Sequence, residues 1–245
     1  MMNEDILQNI TVIENRIAAA CEHSGRDSQA VKLLLATKTV PAERIKAALE
    51  TGHLLIGENK IQEVKDKYTD LLDTPHIVHF IGHLQTNKVK ELLKYKIDCL
   101  QSLDRMELAE KLQQRLIFED KYLDVLIQVN TSGEPSKFGI APNDTIAFVQ
   151  QIAQLNRLRI KGLMTIGLFS ADAARIRPCF KRLKILSQQI KALEIDGVQM
   201  QELSMGMSGD LEIAIEEGAT ILRVGTAIFG QRIYPDSYYW NESIG

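Results

Sequence analysis

Cysteine is scarce in this 245-residue chain. Cys21, Cys99 and Cys179 are odd in number, far apart and without any C-x-x-C spacing. That argues against a disulfide framework and a structural zinc site, and it points to reduced thiols in the cytoplasm. A basic excess is missing too. With 29 Lys and Arg against 32 Asp and Glu, the net charge is −3, so nothing is left over to neutralise a nucleic-acid backbone. Small molecules are the expected partners, not nucleic acid. No apolar segment approaches the ~20 residues that a membrane span needs. The start, "MMNEDILQNITVIENRIAAAC", reads as an amphipathic helix with early acidic residues. It lacks the basic head and apolar centre of a signal peptide, so the expected location is cytoplasmic. No linker, low-complexity stretch or fixed-period repeat divides the chain, and residues 1–245 are expected to form one domain.

What is present is ordinary globular composition, 45% hydrophobic and 25% charged, enough for a substantial core. Short apolar runs alternate with helical patterns: "LLLAT" 33–37, "LLIG" 54–57, "IVHFI" 77–81, "IDCLQS" 97–102, "LDVLIQV" 123–129, "LRIKGLM" 158–164, "VQMQELS" 198–204 and "TILRV" 220–224. Between them lie segments such as 41–50, opened by Pro41, and 104–118, with Leu108 and Leu112 four apart. Each connection is long enough for a crossover helix, so neighbouring strands should be parallel. The expected fold is α/β, a single (β/α)8 TIM-type barrel with an extra N-terminal helix. A doubly wound open sheet is the alternative.

Barrels of this kind build their sites at the C-terminal ends of the strands. The unusual residues fall there: Lys38 after strand one, Glu58 and Asn59 after strand two, His83, Gln85 and Asn87 after strand three, and "NTSGEPSKFG" after strand five. "SMGMS" follows strand seven and "RVGTAIFG" ends strand eight. In "KLLLATKTVP" an apolar run delivers an ammonium group at Lys38, which is either a snorkelling side chain or an amine wanted for chemistry. A lysine attacks a carbonyl only when neutral, against an ordinary pKa of about 10.4, so burial or a nearby cation must favour deprotonation. Arg223, on the strand that would close against the first, is a candidate for that cation. Gly225 and Thr226 offer backbone N–H groups and a hydroxyl where such barrels bind phosphate. Ser208 stands at an apparent helix start, either as a phosphate ligand or as a plain N-cap, with Asp210 in the first turn working against an anion. An amine, a phosphate cradle and an arginine between them suit pyridoxal 5'-phosphate. An arginine at the ring nitrogen can only donate, which weakens the cofactor as an electron sink.

The blocks "ATKTVP", "GENKIQE", "HFIGHLQTNK", "VNTSGEPSKFG", "GLMTIG" and "LSMGMSGDLEIAIEEGATILRVGTAIFG" together resemble the pyridoxal phosphate homeostasis protein family, from about residue 5 to 233. The resemblance implies a single-domain barrel similar to the N-terminal domain of bacterial alanine racemase, holding pyridoxal phosphate as a Schiff base. It also implies cofactor-binding roles for Lys38 as the Schiff-base lysine, Asn59 beside the cofactor, Ser208 at the phosphate, Arg223 at the ring nitrogen, and Gly225 with Thr226 at the phosphate. Lys60 stands where the family commonly has a tyrosine.

His76, His79 and His83 form H-x2-H-x3-H, but residues three apart on a strand face opposite ways, and no metal site is expected. His83 and Gln85 are expected at the pocket mouth, Lys137 as a second rim amine, and Met164, Met205 and Met207 around ligand or core. The resemblance implies a carrier or regulator affecting cofactor supply and amino/keto-acid balance; a monomer without catalytic residues is expected, with pyridoxal-phosphate-dependent apo-enzymes as partners. The competing readings are a racemase-like enzyme, for which Tyr238 or Tyr239 would be the first acid to test, and a cofactor-free Schiff-base aldolase.

Overall fold

The computed structural model describes residues 4–168, 170 and 172–230. Its strands are β1 Lys32–Ala36, β2 Leu55–Glu58, β3 Ile77–Phe80, β4 Cys99–Leu103, β5 Leu123–Gln128, β6 Leu158–Met164, β7 Val198–Ser204 and β8 Ile221–Val224. Each pairs in parallel with the next. β1 also pairs with β8, from Lys32↔Ile221 to Leu35↔Val224, so the sheet closes on itself. That closing ladder decides for the barrel over the open doubly wound sheet.

The helices are α1 Glu4–Ser24, α2 Ala42–Leu49, α3 Ile61–Leu71, α4 Val89–Leu92, α5 Met106–Glu119, α6 Thr145–Ile152, α7 Ala173–Ala192, α8 Leu211–Glu216 and α9 Thr226–Phe229. Strand side chains alternate between the barrel lumen and this outer ring. Leu33 and Leu35 join the large core between strands and helices, whereas Leu34 and Ala36 pack with Ile221 inside the barrel. A second interior cluster joins Cys99, Leu126 and Met164. Gly57 also faces inward, where an added methyl would lie 2.4 Å from Leu34 Cδ2.

α1 is the extra helix. Ile6, Ile10, Ile13 and Ile17 fall on one stripe at helical spacing, and all four are buried. Across that contact Arg16 grips both oxygens of Glu212 on α8 at 2.7 and 2.9 Å, and Asn9 Nδ2 donates to the Ile228 carbonyl of α9 at 2.9 Å. The N-terminal helix thus fixes the two short helices that follow β7 and β8. Cys21, Cys99 and Cys179 are buried and free, on α1, β4 and α7. Among the described residues no helix is long and apolar enough to cross a membrane.

Candidate functional site

β1 ends at Ala36, and the chain turns at once. Thr37 N–H still donates to the Gly57 carbonyl at 3.0 Å, and Val40 N–H closes back on the Thr37 carbonyl at 2.9 Å. Lys38 and Thr39 are the two middle residues of that turn. Thr39 has φ 61°, while Lys38 has negative φ, which is the pattern of a type II turn. Glycine is the usual residue at the third position of such a turn. A β-branched threonine there stores about 1–3 kcal/mol of backbone strain. Lys38 is half-buried and is the next residue in the inward-facing row that begins Leu34, Ala36.

β2, which Asn59 follows directly, runs beside it, with Ala36 level with Gly57. Glu58, expected on the rim after the strand, is instead the last residue of β2 and points outward. Its Oε1 accepts from Thr37 Oγ1 at 2.6 Å and from Lys67 Nζ at 2.8 Å, and burial pushes its carboxyl up to about 7. Asn59 is half-buried, its carbonyl packed so tightly on Gly82 that a methyl at residue 82 would approach it to 2.0 Å. Lys60 is the N-cap of α3.

Arg223 lies on β8 level with Leu34, four residues before Lys38, rather than beside Lys38. Its buried guanidinium donates to Ser204 Oγ and to the Thr165 carbonyl, each at 2.8 Å. Those partners belong to the neighbouring strand β7 and to the residue just past β6, so the fork points away from β1. The network continues inward. Ser204 Oγ donates to Gln101 Oε1 at 2.6 Å, and Gln101 Nε2 lies 2.6 Å from His79 Nδ1. Burial lowers the His79 imidazole to about 4, so it is neutral and accepts from the Gln101 amide. Burial also brings Arg223 down to about 10, which leaves it protonated at neutral pH. A different cation, Lys67, reaches the backbone beside Lys38, where its Nζ bonds the Thr37 carbonyl at 2.7 Å.

After β7 and β8 the chain forms a second half of the site. Ser208 is not the cap of the helix that follows it, because α8 starts at Leu211 after Asp210. Its hydroxyl instead reaches across to the Ala227 N–H at 3.4 Å, in the first turn of α9. Asp210 is buried with its Oδ1 accepting the Met207 N–H at 2.6 Å, and desolvation raises its pKa. Gly225 precedes α9 where β8 crowds β1. A methyl at residue 225 would stand 2.9 Å from the Ala36 carbonyl oxygen.

Lys38, Thr39, Arg44, Gly225, Thr226 and Phe229 line one cavity of about 150 Å³. Two of the expected cofactor-binding positions thereby share a space with Lys38; Ser208 flanks it through α9, and Asn59 and Arg223 stand outside its lining. An amine, amide N–H groups and hydroxyls around so small a space suit an anionic carbonyl compound. Arg44, which also donates to Asp5 at 2.8 Å, escaped the sequence reading because it sits on a helix face. Gln101, Ser204 and Thr165 escaped it because inward-facing polar residues stand out only once the register is known.

The remaining candidates take separate partners. His76 Nδ1 contacts the Thr74 carbonyl at 2.6 Å, His79 joins the lumen network, and His83 stacks on Phe138 with ring centroids 3.9 Å apart. Lys137 Nζ donates to the Gly167 carbonyl at 2.7 Å and pairs with Glu134 at 2.5 Å, tying the loop after β5 to that after β6. Met164 is in the lumen, Met205 in the outer core, and Met207 is half-buried. Tyr238 and Tyr239 lie outside the described residues.

Residues 9–233 match the family model of the alanine racemase N-terminal domain. A pyridoxal phosphate homeostasis protein of Aquifex aeolicus is 41% identical over 227 residues, covering 93% of this chain and 98% of that protein. A solved protein from Bifidobacterium adolescentis, described as unknown, superposes with a TM-score of 0.88 at 40% identity, over 93% of this chain and 95% of the other. PipY of Synechococcus elongatus PCC7942, solved with PLP bound, gives a TM-score of 0.78 at 32% identity, over 89% of this chain and all of its own.

Proposed function

The chain belongs to the pyridoxal phosphate homeostasis protein family, and from that premise we propose that it binds pyridoxal 5'-phosphate at the C-terminal mouth of the barrel, held by Lys38. The observation that carries this reading is the cavity common to Lys38, Gly225 and Thr226. The residues fit the group. Gly225 lacks the methyl that would force the backbone of β8 away from Ala36, Ser208 and Thr226 bring hydroxyls, and the Asp210 carboxylate is turned to its own loop. When bound, pyridoxal phosphate supplies an aldehyde open to amine attack, a phosphate and an aromatic ring nitrogen.

Each part has a residue to meet it. Lys38 contributes the primary amine, on a turn whose geometry leaves little freedom for its backbone. Thr226, Ser208 and the first amides of α9 are the phosphate donors, with Asn59 beside the ring. Arg223 has only donors, so opposite a ring nitrogen it keeps that nitrogen an acceptor and disfavours electron withdrawal by the ring. Such a site retains the cofactor better than it drives transamination. The reading extends to a monomeric cytoplasmic carrier, one unit over 1–245, that buffers the cofactor and passes it to apo-enzymes.

The test is a titration of the purified chain with pyridoxal phosphate. Visible absorption that develops in the wild type and is lost in Lys38→Ala supports the reading. Equal absorption in both proteins overturns it.

A further inference from the structure

Lys38 sits in a turn that a threonine would not adopt unaided, and besides the Val40 N–H bond to the Thr37 carbonyl, the groups that hold the turn come from one face of α3. Glu63 and Lys67 are four residues apart, hence neighbours on that helix. Lys67 Nζ donates to the Thr37 carbonyl at 2.7 Å and to Glu58 Oε1 at 2.8 Å, and Thr37 Oγ1 donates to the same oxygen at 2.6 Å. Glu63 Oε1 accepts the Thr39 N–H at 3.1 Å. The peptide groups on either side of Lys38 are therefore both anchored to α3, one through its carbonyl and one through its N–H. The Glu63 anchor lies at the surface, whereas the Lys67 anchor is buried. The Lys67 side chain is 11% exposed and that of Glu58 2%.

Without these anchors Thr39 would relax to negative φ, because no covalent constraint holds it at 61°. Relaxation rotates the Lys38–Thr39 peptide and leaves the Lys38 backbone without its α3 anchors, free to carry the amine away from the cavity. We propose that Lys67 and Glu63, with Glu58 bracing Lys67, are positioning residues that hold the Lys38 amine toward the cavity shared with Gly225 and Thr226. This rests on the reading of Lys38 as the residue that holds pyridoxal phosphate. Neither Lys67 nor Glu63 touches the cofactor in this account; they act through the turn.

The experiment compares wild type, Lys67→Met, Lys67→Arg and Glu63→Ala, each alone and combined with Thr39→Gly. Affinity for pyridoxal phosphate is measured by equilibrium dialysis, and melting of the ligand-free chains reports folding. Lys67→Met is expected to weaken binding roughly tenfold and Glu63→Ala several-fold, while Lys67→Arg, which keeps a cation on the Thr37 carbonyl, stays within about threefold of wild type. Glycine accepts positive φ without strain, so in the Thr39→Gly background both losses shrink to within about threefold. Glu63→Ala keeps the inference testable if Lys67→Met folds poorly, since alanine is a strong helix former. Losses that persist undiminished with Thr39→Gly overturn the inference, as do Lys67→Met and Glu63→Ala variants that bind like wild type. A wild type that itself fails to bind through Lys38 overturns instead the reading beneath it.

Discussion

A single methyl at Gly225 tests the geometry of the rim. With the backbone left in place, the added carbon of Gly225→Ala stands 2.9 Å from the Ala36 carbonyl oxygen and 3.2 Å from the Ala36 Cβ. Ordinary contact begins at 3.4 Å, so the oxygen must give way by roughly 0.5 Å. It cannot move alone, because Ala36 is held in the ladder to Gly57. β1 and β8 must part at their C-terminal ends, where the chain enters Lys38 on one side and Thr226 on the other. Overpacking of this kind costs about 1–3 kcal/mol, and a chain of this size loses about 2–4 °C of Tm for each. Gly225→Ala should therefore melt roughly 4–8 °C lower, taking the middle of that range. The same displacement separates the amine from the amide donors and should weaken pyridoxal phosphate binding roughly tenfold, about 1.4 kcal/mol. Gly209→Ala is the matched control, with no atom within 4 Å of its added methyl. Thermal melts and ligand titration of the two variants decide the matter. If they melt within about 1 °C of each other and bind alike, the close approach of β8 to β1 does not shape the site.

Other outcomes are open to measurement. Ser208→Ala removes the acceptor of the Ala227 N–H and a phosphate donor, and should weaken binding about three- to tenfold with little change in Tm; unchanged affinity removes Ser208 from the site. His79 and Glu58 should impose opposite pH slopes on stability. Burial lowers the His79 pKa to about 4, so the unfolded chain takes up its proton first, and up to about 3 kcal/mol drains away as pH falls from about 6.5 to 4. The Glu58 carboxyl, raised to about 7, holds its proton better when folded, so its contribution is full below about 4.5 and lost as pH rises to 7. His79→Gln removes the first slope, and urea melts between pH 5 and 7 should show the variant gaining relative stability at the acid end. A variant with the wild-type slope contradicts the neutral His79.

Much of the barrel was legible because its strands are short apolar runs at regular spacing. "VQMQELS" coincides with β7, and "TILRV" overruns β8 by one residue. The helix read over 104–118 from Leu108 and Leu112 is α5, with both leucines buried. The misses share a cause. Glu58 reads as a loop carboxylate after "LLIG", and only the arrival of Lys67 from α3 makes an outward strand position habitable for it. Ser208 reads as either a phosphate ligand or a cap for the next helix; it caps no helix there, and its partner lies nineteen residues on, in α9. Arg223 was expected near Lys38 because β8 closes on β1, and that adjacency holds. The register then sets it level with Leu34, and its fork finds hydroxyl and carbonyl partners on the side away from β1, at β7 and just past β6. Local pattern locates elements, whereas charge pairing across elements depends on register.

The central claim is that one amine, Lys38, holds the cofactor. Borohydride treatment of the chain in the presence of pyridoxal phosphate, followed by peptide mass spectrometry, tests it most directly. The account predicts a pyridoxyl adduct on the peptide containing Lys38, abolished in Lys38→Ala. An adduct at any other lysine, with Lys38 unmodified, contradicts it.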